Sequence, residues 1–438
     1  MKALSPILLF LCLYLVTSLV AHDFYKVPIT VAFLISSIYA VAITKGTMSQ
    51  RLEVFAEGVR SSDMMLMLWI FLLAGAFAAG AKQMGAIDAT VSLALRSLPS
   101  AFLLPGIFLA ACFISLAVGT SVGTIAALVP VAVGIADEAG LSLPFVVGIV
   151  VGGAYFGDNL SFISDTTIVA TQTQGCRMSD KFRVNSRIVI PAAILILMLY
   201  GWVGRDITPP ADIPAVDFWK VLPYLAVILL AVCGIHVLIV LLVGIVLCGI
   251  IGIIDGSYDL FGWFQAMADG MEGMSELLIM TLLAAGLLSV IRHNGGIRLI
   301  IATLTRHIHS QRGAETTIAL LVCLVNICTA NNTVAIMTAG PIAHDIALRF
   351  GVDPRKSASL LDTTSCFTQA LLPYGAQMLI AAGLAAVNPI SIIPHLYYPM
   401  ALAVAVVLSI LFLFPKKYSR GSTLSQTAAH IDENSSAH

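Results

Sequence analysis

Charge is what this sequence has least of. Only 11% of its 438 residues are Asp, Glu, Lys or Arg, against about 25% in soluble globular domains. With 59% hydrophobic residues and a mean hydropathy of +0.96, a soluble globular fold is excluded. Neither sign of charge dominates: the formal net charge is −1, which leaves no electrostatic footprint for a nucleic-acid partner. The sequence also lacks HExxH, GxSxG and a Walker loop with its lysine, so nothing in it supports an enzyme of those classes. Its 8 cysteines occur without a CxxC and mostly inside apolar runs. They read as small core residues rather than disulfide or metal ligands, and no cofactor is expected.

What is there is apolar sequence. At about 20 residues per crossing of the hydrocarbon core, the chain has room for roughly ten or more helices. The partner is therefore the lipid bilayer, and the expected class is an all-α polytopic membrane protein. Apolar runs fall at 5–21, 28–45, 64–80, 101–118, 121–137, 143–175, 187–204, 218–233, 237–255, 275–291, 315–330, 333–348, 357–387 and 395–414. The first has the look of a signal peptide, but Leu19 stands two before Ala21, where cleavage needs a small residue, so an uncleaved helix is expected. The runs at 143–175 and 357–387 are too long, and too broken by Gly, Pro, Asp and Ser, to be ordinary spans. Each reads as one interrupted helix.

The basic residues mark the topology. They gather at Lys45, Arg51 and Arg60; at Arg177, Lys181, Arg183 and Arg187; at Arg292, Arg298, Arg306 and Arg312; at Arg349, Arg355 and Lys356; and at Lys416, Lys417 and Arg420. The positive-inside rule puts these loops in the cytoplasm. Segments 138–142, 256–274 and 388–394 carry no Lys or Arg and belong outside. The pair 315–330 and 333–348 therefore enters from the cytoplasm and returns there, while 101–118 and 121–137 begins and ends outside. These are two hairpins opening to opposite faces of the cell membrane, and with ten other crossings both termini fall in the cytoplasm.

An internal repeat accounts for that opposition. A shift of 211 residues pairs Ile125 with Ile336, Pro130 with Pro341, Ala132 with Ala343, Ile135 with Ile346, Ala136 with Ala347 and Gly140 with Gly351. Upstream, Ala56, Glu57 and Gly58 face Ala268, Asp269 and Gly270, and Gly75 faces Gly286. The expected organisation is N-terminal helices at 1–55, a first repeat at 56–205, linking helices at 206–266, an inverted second repeat with the last helix at 267–415, and a polar, disordered cytoplasmic tail at 416–438. Paired broken helices in inverted halves are the signature of a secondary transporter.

The polar residues inside these runs carry the function. The first hairpin tip holds Thr120 and Ser121 among glycines, followed by GDNLSFISDTT with Asp158, Asn159, Ser161, Ser164, Asp165, Thr166 and Thr167. The second half answers with Asn331, Asn332 and Thr333, then with Asp362 and Thr363. An ionisable residue at mid-bilayer costs at least about 2.5–3.5 kcal/mol, so it persists only where it pairs, coordinates or faces water. Carboxylates, hydroxyls, amides and freed carbonyls are the hard oxygen ligands an alkali cation needs. A carboxylate binds Na⁺ only when deprotonated, so Na⁺ and H⁺ compete for it. Competition at one site exposed alternately to each side is sufficient for antiport, and Asp158 and Asp165 are the expected Na⁺ ligands.

FGDNLSFISDTT resembles the signature of the NhaC-type Na⁺/H⁺ antiporter family, and RKSASLLDTTSCFTQALLPYG resembles that family's second-repeat segment. The resemblance runs from about Ala56 to Ala386. It implies that Asp158, Ser161, Ser164, Asp165, Thr166 and Asp362 line the ion and substrate site, and that the tips at Thr120, Ser121 and Asn331 to Thr333 contribute. It departs at Asn159, where lysine is common, at Phe162, where proline is common, and at Tyr374 and Gly375, where Trp and Asn are frequent. The leading expectation is Na⁺/H⁺ exchange. The alternative is Na⁺- or H⁺-coupled transport of an amino acid or small monocarboxylate. Segments 97–176, 313–348 and 357–415 hold no Lys or Arg, so a cationic clamp for a dianion is not expected. A carrier of this type is expected to work by moving its core against a scaffold through which many such proteins form homodimers.

Overall fold

In hydrocarbon, a chain satisfies its own backbone only as helix or closed barrel. The computed structural model describes residues 2–10, 12–13, 29–97, 99–161, 164–207, 215–233, 235–304 and 308–419, and among these it is helical with no strand. Six of the described helices are long and apolar enough to cross a membrane, or eight if each of two bent pairs counts as one span. Large apolar side chains such as Leu195, Met198 and Trp202 are exposed along Met178–Val203, as a lipid-facing surface requires. The chain is an all-α polytopic integral membrane protein. Within the first expected helix, residues 5–10 and 12–13 are helical, and 14–28 lie outside the described residues.

The order of helices is read twice. From Ile29 it runs Ile29–Ile43, Met48–Val59, Ser62–Met84 and Ala86–Ser97, then the hairpin Leu103–Val118 with Ser121–Glu138, the broken helix Leu143–Leu160 with Asp165–Gln174, and Met178–Val203. From Val237 it runs Val237–Ile254, Leu260–Glu272, Ser275–His293 and Gly296–Leu304, then the hairpin Gln311–Thr329 with Asn332–Phe350, the broken helix Pro354–Leu371 with Ala376–Leu384, and Tyr397–Leu411. Side-chain caps from Thr47, Ser61, Asp259, Ser310, Asn331 and Asp353 start several of these helices, satisfying first-turn N–H groups.

The copies are interlocked by exchange. Met48–Val59 packs on Ser275–His293, and its counterpart Leu260–Glu272 packs on Ser62–Met84. Glycine makes these crossings close: a Cβ on Gly58 would stand 2.2 Å from the Ala285 carbonyl oxygen, and one on Gly270 would stand 2.2 Å from that of Gly75. Small residues let helix backbones approach where lipid supplies no hydrophobic drive.

The hairpins open to opposite ends, as expected. The first broken helix begins beside the base of the first hairpin, four residues after Ala139. It ends beside the second hairpin, where Gln174 Nε2 donates to the Gly340 carbonyl at 2.8 Å. Both tips therefore reach the middle from opposite faces. Each returning helix carries an internal proline, Pro130 and Pro341, at the same place in its copy. After the last long helix, Lys416–Ser419 forms a helical turn in which buried Tyr418 lies under the guanidinium groups of Arg187 and Arg355; residues 420–438 lie outside the described residues.

Candidate functional site

Both broken helices stop in the middle of the protein for local reasons. In the second, Pro373 has no N–H to continue the ladder, and the chain resumes as helix only at Ala376. In the first, helix ends at Leu160, Ser161 and Ser164 are extended, and helix resumes at Asp165; residues 162–163 lie outside the described residues. Hydroxyls take up part of the interrupted backbone. Thr167 Oγ1 donates to the Ser161 carbonyl at 2.9 Å, and Ser161 Oγ donates to the Leu116 carbonyl at 3.0 Å on the first hairpin. Gly157 permits that approach, since a Cβ there would lie 2.2 Å from the Ser115 side chain.

Asp158 sits at the first hairpin tip. The hydroxyl and backbone N–H of Ser121 lie against its carboxylate, at the N-terminus of Ser121–Glu138, the favourable end of the helix dipole. The Ser121 hydroxyl oxygen accepts in turn from Gln377 Nε2 at 3.1 Å. Gln369 Nε2 donates to Gln377 Oε1 at 3.2 Å and to the Ala330 carbonyl at the second tip at 2.8 Å. A continuous hydrogen-bonded path thus joins the two tips through Ser121, Gln377 and Gln369, with Asp158 beside its Ser121 end. The second tip closes with Ala330 in the left-handed conformation, φ 49°, where the first uses Gly119.

Asp362 lies in a second cluster. Its Oδ2 is 2.7 Å from Lys181 Nζ and accepts from Asn185 Nδ2 at 2.8 Å. Lys181 also donates to the Asn159 carbonyl at 3.1 Å and to Thr167 Oγ1 at 2.5 Å, and Asn185 donates to the same Asn159 carbonyl at 2.8 Å. Buried oxygens remain without hydrogen-bond partners around these groups: Asp362 Oδ1, Asn159 Oδ1, Asn185 Oδ1, Thr364 Oγ1, Thr368 Oγ1 and Gln369 Oε1. Such atoms are normally satisfied; four of these, Asp362 Oδ1, Asn159 Oδ1, Asn185 Oδ1 and Gln369 Oε1, only accept, and oxygens of that kind are what a desolvated alkali cation uses. No group of three or more His, Cys, Asp or Glu able to hold a metal occurs among the described residues.

The sequence-derived candidates divide clearly. Ser121, Asp158, Asn159, Ser161, Ser164, Thr166, Thr167, Asn332, Asp362 and Thr363 are buried, whereas Thr120, Asn331 and Thr333 are half-buried at the tips. Thr363 turns its hydroxyl to the Ser359 carbonyl of its own helix at 2.7 Å, and Ser164 pairs with Thr166 at 2.9 Å. Asp165, expected deep in apolar surroundings, is exposed. It is the first residue of the resumed helix, where a carboxylate is stabilised by the helix N-terminus and by water.

Four residues of the site were not among the candidates. Gln369 and Gln377 occupy in the second copy the places of Asp158 and Thr166, 211 residues earlier, so the repeat shift points to them. Lys181 and Asn185 fall on the buried stripe that includes Val184, Ile188, Val189 and Ala192. The expectation that Lys181 stands in a cytoplasmic loop is corrected accordingly: helix starts at Met178, not near 187, and draws Lys181 inside with 1% of its side chain exposed. Lys356, also expected in a cytoplasmic loop, is buried too. It lies 4.0 Å from Glu315 and donates to Ser409 Oγ and to the Phe414 carbonyl.

A cavity of about 560 Å³ adjoins the second tip. Ala330, Asn331, Tyr374 and Ala376 line it, together with Glu57, Arg292 and His293.

Two interlocked helical copies whose hairpin tips and broken helices converge on buried carboxylates define a membrane protein of the carrier type. The sequence model of the Na⁺/H⁺ antiporter family matches residues 2–205 and 213–416, and the chain belongs to that family, one of transporters and not of enzymes. It is 24% identical over 358 residues to the malate-2H⁺/Na⁺-lactate antiporter of Bacillus subtilis (strain 168), covering 72% of this chain and 75% of that protein. It is 26% identical over 373 residues to the Na⁺/H⁺ antiporter NhaC of the same organism, covering 76% of this chain and 80% of that one. Among solved structures, the YdaH transporter of Alcanivorax borkumensis matches with 16% identity and a TM-score of 0.40, over 81% of this chain and 90% of that one.

Proposed function

We propose that this protein exchanges Na⁺ for H⁺ across the cell membrane by alternating access, with both termini in the cytoplasm. The observation that carries the proposal is the buried core in which Asp158 and Asp362 stand among partnerless oxygens. Na⁺ and H⁺ compete there for carboxylate. Asp158, held on the Ser121 helix terminus, is the principal exchanging group, and Asn159, Ser161, Ser164, Thr166, Thr167, Asp362 and the tip residues Thr120, Asn331, Asn332 and Thr333 form the surrounding shell. Asp165, at the exposed edge of this shell, meets the ion on its way. Movement of the tips and broken helices against the outer helices exposes the site to each face in turn, and two copies associate through those outer helices.

A second reading is coupled transport of a small organic acid or amino acid. It is favoured by the cavity, whose size falls within the range of small-molecule pockets, by Arg292 and Glu57 on its wall, and by the malate and lactate named for one relative.

Proteoliposomes with an imposed pH gradient decide between them. Proton efflux on adding Na⁺ alone, lost in Asp158→Asn, is the expected result. If Na⁺ moves protons only when malate, lactate or an amino acid is also present, the second reading replaces the first.

A further inference from the structure

We propose that the ammonium of Lys181 is a resident cation, occupying an oxygen cradle that a transported Na⁺ enters by displacing it. The proposal rests on the cation-exchange reading above and adds the group against which the ion competes. Lys181 Nζ has three converging oxygen partners: Asp362 Oδ2 at 2.7 Å, the Asn159 carbonyl at 3.1 Å and Thr167 Oγ1 at 2.5 Å. An ammonium has three donors, and each is used. The partners are a carboxylate, a hydroxyl and a carbonyl near the end of an interrupted helix, which together form the ligand set of an alkali ion in a broken-helix carrier.

Three further features separate a resident cation from a plain structural ion pair. The lysine comes from Met178–Val203, whereas every oxygen it holds belongs to the two broken helices; the ammonium on its flexible stem can therefore leave while the cradle stays assembled. The cradle is also not saturated by lysine: Asp362 Oδ1 and Asn185 Oδ1, on side chains that meet at the Asp362 carboxylate, are buried without partners, so more acceptors are present than one ammonium and one amide serve. Finally, an ion-free carrier that moved Asp362 uncompensated would hold a lone charge in low dielectric. The tethered ammonium supplies that compensation, and Na⁺ binding makes it unnecessary.

Competition has a kinetic signature. A site available only a few per cent of the time shows an affinity weakened by the same factor. Replacing Lys181 with the uncharged Lys181→Met should therefore lower the apparent KM for Na⁺ at fixed pH by about tenfold or more, even if the maximal rate falls. The charge-neutral pair Lys181→Met with Asp362→Asn should lose that gain while keeping the packing. If Lys181 only braces the broken helices, Lys181→Met lowers the maximal rate with KM unchanged or raised, and the proposal is overturned. Should Lys181→Met fail to reconstitute, melting of the detergent-purified full chain titrated with NaCl separates the same two outcomes. Stabilisation at lower Na⁺ in Lys181→Met than in the wild type, absent from the double variant, supports the cradle; equal Na⁺ dependence refutes it. Wild-type Na⁺-driven proton flux tests the exchange reading independently, because the melting titration registers cation binding whether or not protons move.

Discussion

Removing the middle of the path between the hairpin tips tests whether the two copies share one site. Gln377 joins Ser121 at the first tip to Gln369, which holds the second tip through Ala330. Gln377→Leu is close in volume and removes both of its hydrogen bonds. Each is worth about 0.5–1.5 kcal/mol net, and a buried group left unmatched costs about 1–3 kcal/mol. Here Ser121 still faces Asp158 and Gln369 keeps Ala330, so the orphan penalty falls mainly on one N–H of Gln369 rather than on whole groups. The expected loss is about 2–4 kcal/mol. If the path must be intact when the ion is bound, about 2.8 kcal/mol of it appears as a hundredfold weaker Na⁺ response. Thermal melting in detergent reads the first quantity, and Na⁺-driven proton flux in proteoliposomes reads the second. Thr363→Val is the control: its hydroxyl is spent on the Ser359 carbonyl of its own helix, so it should change the flux little. A Gln377→Leu protein that melts and transports with the wild type refutes the bridge, whatever Thr363→Val does.

Two further substitutions test the framework that brings the tips together. Gly270→Ala places a methyl 2.2 Å from the Gly75 carbonyl oxygen. The crossing must part to accept it, at a cost of about 1–3 kcal/mol, and an unshifted melting temperature would contradict the packing described here. Ala330→Gly should act in the opposite direction: the left-handed conformation at φ 49° costs an L-residue about 1–2 kcal/mol that glycine avoids, so the variant should melt higher, and a lower melting point would show that the tip depends on the methyl group.

The hairpins, the two broken helices and their opposition were legible because they rest on pattern. Long apolar runs, their interruption by Gly, Pro and Asp, and a repeat carried by Pro130 and Pro341 survive translation into structure almost residue for residue. The burial of Asp158, Asn159 and Asp362 was legible from the apolar runs in which they stand. Asp165 looked equivalent to Asp158 in sequence, yet its position at the start of a resumed helix exposes it. Hydropathy averaged over a window cannot separate two carboxylates seven residues apart on either side of a break. Gln369 and Gln377 are uncharged, so no insertion cost marks them; only the 211-residue shift that carries Asp158 and Thr166 onto them does.

Lys181 and Lys356 are the more instructive misses, because they stand within basic clusters that mark loops. Counting charge treats all members of such a cluster alike, yet Arg177 and Arg183 keep 79% and 67% of their side chains exposed, whereas Lys181 and Lys356 keep 1% and 0%. The difference lies in helical phase. Lys181 precedes Asn185, Ile188, Val189 and Ala192 by four, seven, eight and eleven residues, on the stripe that packs inward; Arg183 falls off that stripe, and Arg177 is the cap residue ahead of the first helical turn. The opposition of the hairpins does not depend on the two lysines, since their exposed neighbours alone keep those loops basic. The electrostatics of the site do depend on them. A core read as purely acidic becomes one in which Asp362 has an ammonium against it and Asp158 has none, and the exchange proposed above rests on that asymmetry: proton exchange is assigned to Asp158 and displacement of the ammonium to Asp362.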